Sequence, residues 1–218
     1  MKSTNEIKGI IFDLDGVLLS TDHFHYLAWK SLADKLEIPF DERVNEKLRG
    51  VSRMASFEII LSNKPELKLT EAEKEAYATE KNELYRTYLK TMTPADVSDD
   101  VRATLKTLRE RGYLLAVGSS SKNAGFILER TEMREYFDAV SDGNNIVHSK
   151  PDPEVFLKAA EFIGLDPTVC AVVEDAEAGL EGAVAGRMLP VAIGSASGSP
   201  LAQITLNTFA DLATYFPG

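Results

Sequence analysis

The chain has 218 residues, of which 44% are hydrophobic, so it is long enough to bury a core of its own. Its 34 acidic residues outnumber its 24 lysines and arginines, and a net charge of −10 disfavours general binding to nucleic acids or anionic membranes. The one cysteine, Cys170, cannot form an internal disulfide, and no targeting or membrane-spanning segment is visible. We therefore expect a cytoplasmic protein with no nucleic-acid or membrane partner, and we expect it to be a monomer.

The first predicted strand is the apolar run of residues 7–12, which Asp13 and Asp15 follow directly. Strands of parallel sheets are near-continuous aliphatic runs, and ligands bind beyond their carboxyl ends. Because a buried carboxylate is costly without a partner, the pair implies a cation, a proton or both. An Asx turn at Asp15–Gly16 after an ordinary strand is the alternative, and the pair alone does not decide between the two.

Residues 20–93 contain no convincing strand and several successive helical patterns, so we predict an inserted, all-helical cap domain. The last of these helices begins with a capping box at Thr70–Glu73. Two residues, His25 and Lys81, interrupt apolar helical stripes in this segment. On periodicity alone, a satisfied core histidine and a lysine that reaches solvent are the simpler interpretations. The stripe assigned to Lys81 consists of Tyr77, Leu84 and Tyr88.

Four more short apolar runs follow the cap and predict four further strands, at residues 113–117, 137–140, 169–173 and 189–193. Helical patterns lie between most of them, and these begin at Asp100, Asp152 and Asp175 and end at Gly112, Gly164 and Gly186. Strands that alternate with helices predict a doubly wound, parallel α/β sheet. We therefore predict a Rossmann-like catalytic core formed by residues 1–19 and 94–218.

Polar residues follow four of the predicted strands, at one edge of the sheet. They are Asp13 and Asp15, then Ser119–Asn123, then Lys150, and finally Glu174 with Asp175. Carboxylate oxygens suit Mg²⁺, and hydroxyl and ammonium groups bind phosphoryl oxygens. Each piece alone has an ordinary explanation, such as a solvated loop lysine or a helix cap. Together and in this order, they indicate phosphate chemistry with magnesium.

These motifs, in this order, resemble those of the haloacid dehalogenase superfamily over nearly the whole chain. The resemblance implies that Asp13 is the nucleophile of an aspartyl-phosphate mechanism and that Asp15 is the general acid and base. It also implies that Ser119 and Lys150 neutralise the transferring phosphoryl group. The implied Mg²⁺ ligands are Asp13, the backbone carbonyl of Asp15, Glu174 and Asp175.

Further segments resemble the β-phosphoglucomutase family within that superfamily. They are residues 13–17, 25–30, 48–53, 81–82, 94–97 and 119–123. This resemblance implies a sugar-phosphate substrate: β-D-glucose 1-phosphate and glucose 6-phosphate are interconverted, with β-glucose 1,6-bisphosphate as intermediate and activator. It assigns Arg53, Ser121, Lys122 and Asn123 to a second phosphate, and Gly50 and Val51 to the sugar. It further implies that His25 and Lys81 couple closure of the cap to the placement of Asp15, which also binds substrate.

Four departures from the family pattern leave sugar selectivity open, namely Ser20, Arg49, Ala176 and the segment Ser98–Asp100. Two alternative functions also remain. A sugar-phosphate phosphatase of the same superfamily needs the nucleophile, the acid and the metal site but no second phosphate site, and Arg53 and Asn123 argue against it. A non-catalytic binding protein on the same fold would be expected to have lost Asp13 or Asp15. We rank the mutase first, the phosphatase second and the non-catalytic protein third.

Overall fold

The computed structural model describes residues 4–48 and 51–218, so Arg49 and Gly50 lie outside the described residues. The chain divides into two compact units, Met1–Ser20 with Met92–Gly218, and Thr21–Thr91. These limits lie within two residues of the predicted domain boundaries. The roles of catalytic core and cap stay predictions. No helix in the described part of the chain is long and apolar enough to cross a bilayer.

The first unit is built on a parallel sheet with the strand order β3-β2-β1-β4-β5-β6. Its strands are β1 (Gly9–Phe12), β2 (Leu114–Gly118), β3 (Ala139–Ser141), β4 (Cys170–Glu174), β5 (Leu189–Ala192) and β6 (Ile204–Thr205). The strand β1 lies between β2 and β4, with Phe12 in register with Val117 and Val173. The sheet thus grows in one direction through β3 and in the other through β6, and this reversal creates a crevice at the carboxyl ends of β1 and β4. The predicted doubly wound α/β sheet is confirmed.

The helices of this unit flank the strands. They are α5 (Asp99–Glu110), α6 (Ala124–Arg130), α7 (Glu154–Phe162), α8 (Glu177–Ala185) and α9 (Leu212–Tyr215), numbered in chain order after the four helices of the second unit. The four residues of β1 and the five of β4 are all buried, as expected for strands covered on both faces. Helix α7 packs against β3, β2 and β1. Its residue Phe156 is completely buried in the core below the carboxyl edge of the sheet.

Several predicted element limits are wrong in this unit. Ser98, rather than Asp100, caps α5, because its hydroxyl accepts a hydrogen bond from Val101 N. Helix α8 begins at Glu177 instead of Asp175, with Ala176 as an N-cap residue that makes no side-chain cap bond. Strands β2 to β4 begin one or two residues later than predicted, and β6 was missed because two residues are too few to form a recognisable apolar run.

The second unit is all-helical in its regular elements: α1 (Asp22–Lys35), α2 (Glu42–Glu46), α3 (Arg53–Leu61) and α4 (Glu71–Leu89). Helix α4 packs against α1 and α3. The core between them is aromatic and aliphatic, and Trp29 stacks on Phe57 with ring centroids 5.7 Å apart. Aromatic stacking of this kind adds to the stabilisation from burial.

The buried face of α4 is not the predicted one. It consists of Ala78, Lys81, Tyr85 and Leu89, whereas Tyr77, Leu84 and Tyr88 are only partly buried. The interpretation of Lys81 as a lysine that reaches solvent is also wrong, because its residue exposure is 3%. Periodicity failed here because two neighbouring sets of apolar residues both recur at helical spacing with Lys81, and spacing alone does not show which set faces the core.

The capping box of α4 supports a prediction about stability. Thr70 Oγ1 accepts a hydrogen bond from Glu73 N, and Glu73 Oε2 accepts one from Thr70 N at 2.8 Å. We expect Thr70→Ala to lower the free energy of unfolding by about 1 kcal/mol, because the cap bond is lost. Urea denaturation followed by circular dichroism measures the change. Thr79→Ala is the matched control, since Thr79 is exposed in the middle of the same helix and alanine is the better helix former there. Equal losses in both variants would contradict the capping argument.

Candidate active site

Three charged side chains meet at the carboxyl ends of β1 and β4. Asp13 directly follows β1, and its backbone N–H donates to Val173 O at 3.0 Å, so the sheet ladder continues to this residue. Glu174 is the last residue of β4. Lys150, from the connection between β3 and α7, donates to Asp13 Oδ1 and to Glu174 Oε2, the latter at 2.9 Å. All three residues are buried, so two strands and one loop hold a salt-bridged triad out of water.

Burial and the neighbouring charges change the protonation equilibria of Lys150 and Glu174. Burial alone would lower the pKa of Lys150, but the carboxylates of Asp13 and Glu174 outweigh it and raise the pKa above its ordinary value. Burial raises the pKa of Glu174, and the nearby charge of Asp13 raises it further. With all three groups ionised, two negative charges face one positive charge. The cluster therefore favours an additional cation.

A third carboxylate makes this cluster a suitable metal site. Asp13, Glu174 and Asp175 each offer a carboxylate oxygen, and these three oxygens lie within 4.8 Å of one another. An all-oxygen, carboxylate-rich donor set fits Mg²⁺, which keeps some water ligands alongside a few protein oxygens. The side chain of Asp15 is not in this group, and the predicted ligation by its backbone carbonyl stays a prediction. The structure thus brings together three of the four predicted metal-ligating residues.

Two glycines leave room for the acidic side chains. A Cβ atom at Gly179, in the first turn of α8, would lie 2.1 Å from Glu174 Cδ. One at Gly16 would lie 2.0 Å from Asp175 Oδ2, and the φ angle of Gly16 is +81°. Ser195 Oγ also donates to Asp175 O at 2.6 Å. Neither Gly179 nor Ser195 is among the predicted site residues, although a glycine in the first turn of a helix is a detectable signal because it weakens the helix.

The predicted phosphate-binding segment, Ser119–Asn123, follows β2, the other neighbour of β1; we call it the serine loop. Ser119 N donates to Ser141 O at 3.0 Å, which extends the β2–β3 ladder by one bond. Ser119 Oγ accepts from Ser121 N, and Ser121 Oγ accepts from Asn123 N, both at 3.2 Å. Ser120 Oγ is buried and has no hydrogen-bond partner among the described residues. The loop therefore holds its hydroxyls in a fixed, compact arrangement.

The helical unit contains a second polar cluster. Lys81 Nζ lies 2.8 Å from His25 Nδ1, and the His25 ring stacks on Tyr85 with centroids 4.0 Å apart. Lys81 Nζ also faces the rings of Trp29 and Tyr85, at 4.6 and 4.9 Å from their centroids. Burial, then the charges of Lys81 and Arg53, hold the pKa of His25 well below its usual value. His25 is therefore neutral at pH 7. Its Nδ1 accepts a hydrogen bond from Lys81 Nζ, because an ammonium group only donates.

Of the remaining predicted substrate residues of the helical unit, Arg53 begins α3 and Val51 precedes that helix. Arg53 Nη2 donates to Asn82 Oδ1 at 2.9 Å, and burial lowers the pKa of its guanidinium. Val51 is exposed, so its side chain adds little to the core of this unit. Gly50, the third member of this predicted segment, lies outside the described residues. Arg53 thus contacts Asn82, the residue that follows Lys81 in α4, so the two cations lie on neighbouring parts of the unit.

Residues 7–186 match the model of the haloacid dehalogenase-like hydrolase family. The chain belongs to this family. The resemblance seen in the motifs is thereby confirmed, and the triad of Asp13, Lys150 and Glu174 occupies the crevice of a haloacid dehalogenase-like sheet.

Relatives of this haloacid dehalogenase-like protein include both mutases and phosphatases. It is 37% identical to a β-phosphoglucomutase of Bacillus subtilis, over 94% of this chain and 92% of the relative. It is also 32% identical to fructose-1-phosphate phosphatase YqaB of Escherichia coli, over 83% of this chain and 93% of the relative. A crystal structure of β-phosphoglucomutase from Clostridium difficile superposes with a TM-score of 0.89 at 30% identity, and the match covers 97% of both chains.

The close approach of Glu174 to Gly179 predicts how a methyl group added at position 179 would affect the metal site. In an ordinary helix Gly→Ala is stabilising, but here the new Cβ would displace the Glu174 carboxylate. We expect Gly179→Ala to weaken Mg²⁺ binding by about tenfold or more, as other changes to residues that support metal ligands do. Isothermal titration with MgCl₂ measures the affinity.

Gly125→Ala provides the matched control for Gly179→Ala. Gly125 lies in α6, and a Cβ there would meet nothing within 4 Å. This variant should keep its Mg²⁺ affinity and gain up to about 1 kcal/mol in unfolding free energy. Unchanged Mg²⁺ affinity in Gly179→Ala would show that Glu174 does not ligate the metal.

The depressed pKa of His25 predicts how stability changes with pH. The unfolded chain takes up a proton on this ring below about pH 6.5, whereas the folded protein resists protonation, so stability is lost as the pH falls. A ring that stays neutral in the folded protein from pH 7.5 to 5.5 contributes a loss of about 1.4 kcal/mol, which is the upper limit for this one group. We expect His25→Gln to remove this part of the pH dependence in urea denaturation. His23→Gln, an exposed position on the same helix, should leave it intact. The same pH dependence in all three proteins would refute the assignment.

Proposed function

We propose that this protein is a β-phosphoglucomutase, an isomerase that interconverts β-D-glucose 1-phosphate and glucose 6-phosphate through phosphorylated Asp13 and β-glucose 1,6-bisphosphate. The observation that supports phosphoryl transfer is the buried Asp13 carboxylate, bound by Lys150 and grouped with the oxygens of Glu174 and Asp175. Similarity to a β-phosphoglucomutase over 94% of this chain favours the mutase among phosphoryl-transfer enzymes.

Each half of the proposed cycle transfers one phosphoryl group. In the first half, the 6-hydroxyl of β-glucose 1-phosphate attacks phospho-Asp13: the O6–P bond forms, the Asp13 Oδ–P bond breaks, and Asp15 accepts the hydroxyl proton. In the second half, Asp13 attacks the phosphorus on C1 of the bisphosphate. The bond between P and O1 then breaks, and Asp15 returns the proton to O1. The products are glucose 6-phosphate and the phosphorylated enzyme.

Charge neutralisation is divided among the residues at the sheet edge. A bound Mg²⁺ ion would offset the negative charge of the phosphoryl group and the three carboxylates. Lys150, already in contact with Asp13, would donate to a phosphoryl oxygen, and Ser119 would provide a hydroxyl. Because these donors are fixed before substrate arrives, little reorganisation is needed during the transfer.

A mutase must also bind the phosphate that is not being transferred. We assign this phosphate to Arg53, whose guanidinium can bind it bidentately, and to Ser121, Lys122 and Asn123. We assign the sugar to Gly50 and Val51. His25 and Lys81 would favour a sugar hydroxyl over water as the acceptor, by linking substrate binding to the placement of Asp15. These assignments rest on the resemblance of the segments that contain these residues.

The alternative is an Mg²⁺-dependent sugar-phosphate phosphatase. The 32% identity to a fructose-1-phosphate phosphatase supports it, and the Asp13 site suits both reactions. In that case water accepts the phosphoryl group from Asp13, and no second phosphate has to be bound. A non-catalytic protein ranks third, because Asp13 and the lysine that contacts it are both retained.

A coupled assay distinguishes mutase from phosphatase. With Mg²⁺ and β-D-glucose 1-phosphate, we expect glucose 6-phosphate as the main product, and trace β-glucose 1,6-bisphosphate should increase the rate because it phosphorylates Asp13. Glucose-6-phosphate dehydrogenase reports the mutase product, and a phosphate assay of the same samples reports hydrolysis. The α anomer serves as a substrate control. Inorganic phosphate as the main product would support the phosphatase instead.

Two variants connect the assay to the assigned residues. Asp13→Asn should abolish both product formation and phosphoenzyme formation.

Arg53→Ala should reduce turnover of the bisphosphate by about tenfold or more, because a charge-assisted bidentate contact is lost. Arg43→Ala, which removes an exposed arginine of α2, is the matched control and should leave turnover unchanged. Normal turnover by Arg53→Ala would exclude Arg53 from the second phosphate site.

A further inference from the structure

One turn donates hydrogen bonds to two backbone carbonyl groups of the serine loop. This turn, Asp142–Asn145, follows β3, and we call it the Asn144 turn. Gly143 N donates to Ser121 O at 3.3 Å, and Asn144 Nδ2 donates to Lys122 O at 3.0 Å. Two consecutive carbonyl groups of the serine loop are therefore bound by two consecutive residues of the turn.

The Asn144 turn is itself fixed by its asparagine and aspartate side chains. Asn145 Oδ1 accepts from Asp142 N at 2.8 Å. Asp142 Oδ1 accepts from Asn144 N at 2.8 Å and from Asn144 Nδ2 at 3.0 Å. The Asn144 amide is thus held on one side by the Asp142 carboxylate, which orients its other N–H bond toward the serine loop.

Close approach of the two segments depends on Gly143. A Cβ atom at this position would lie 2.5 Å from Ser120 O and 2.9 Å from Lys122 N. Both are backbone atoms, so the contact cannot be relieved by rotation of a side chain. Any other residue at position 143 would push the serine loop and the Asn144 turn apart.

The arrangement suits an anion-binding loop. Phosphate oxygens require donors, and a carbonyl oxygen that faced them would repel them. Because the Asn144 turn binds the carbonyl oxygens of Ser121 and Lys122, these acceptors are directed toward the turn. Ser119 is held differently, by its ladder bond to Ser141. The Ser119 end therefore has a backbone support of its own, although Ser121 N also donates to Ser119 Oγ at 3.2 Å.

We propose that Asn144 is a positioning residue that holds residues 120–123 in the conformation that binds the non-transferred phosphate of the substrate. This proposal rests on the proposed function, which assigns that phosphate to Ser121, Lys122 and Asn123. Asn144 acts through the Lys122 carbonyl and does not contact the substrate. Asn144 does not bind Asp13 or Ser119, the residues assigned to the transferring phosphoryl group, and Ser119 has a ladder bond of its own to Ser141.

The test compares a sugar phosphate with acetyl phosphate, an acyl phosphate that carries only the phosphoryl group to be transferred. In Asn144→Ala we expect KM for β-D-glucose 1-phosphate to rise about fivefold to tenfold, as loss of one supporting hydrogen bond allows, with kcat changed by less than about twofold. Formation of phospho-Asp13 from acetyl phosphate should keep its wild-type rate. A general loss of structure would instead lower kcat, the acetyl phosphate rate and the thermal midpoint together.

Val147→Ala is the matched control, since it truncates an 84% exposed side chain in the same connection. It should behave as wild type. Gly143→Ala should raise KM in the same direction as Asn144→Ala and by more, because it displaces the whole loop. An unchanged KM in Asn144→Ala, or an equal loss with acetyl phosphate, would overturn the assignment of Asn144. Failure of the wild-type protein to produce glucose 6-phosphate would overturn the proposed function instead.

Discussion

The candidate active site depends on one buried ammonium group. Lys150 contacts carboxylates from two adjacent parallel strands, at the point where the order of strands in the sheet reverses. Removing several charges from water is costly, and the cost is offset only where each charge has well-placed partners. Without Lys150, the carboxylates of Asp13 and Glu174 would face each other in a buried site with no positive partner. The lysine thus compensates the charge of a potential nucleophile in a buried crevice.

Much of this site could be predicted because its acidic residues come directly after apolar runs that can be recognised as strands. Residues 7–12 and 169–173 are apolar, so they identify two buried strands, and the acidic residues at their ends must then lie at one edge of a parallel sheet. Lys150 was located by its motif, without knowledge of its contacts. The structure added those contacts and showed that both of its carboxylate partners lie at the ends of neighbouring strands.

Other features could not be predicted because they depend on close contacts that a local sequence pattern does not show. A Cβ atom at Gly179 or Gly143 would clash with a neighbouring residue, and no local pattern reveals which glycine has such a neighbour. Lys81 was grouped with the wrong apolar residues of α4, because spacing alone does not show which of two neighbouring apolar faces is buried. Its burial is possible only because His25 and two aromatic rings surround the ammonium group, and these partners are remote in sequence.

The buried lysine of the helical unit also bears on the choice of acceptor. A mutase and a phosphatase share a nucleophile, a metal site and a first phosphoryl transfer, so the Asp13 site alone cannot determine whether water or a sugar hydroxyl reacts. An apolar residue at position 81 would continue the buried face of α4, and well-packed apolar residues are often more stabilising than buried charges. Retention of a cation there, beside a histidine with a strongly lowered pKa, is typical of a functional site. We therefore expect the residues that select between water and a sugar hydroxyl to lie in the helical unit.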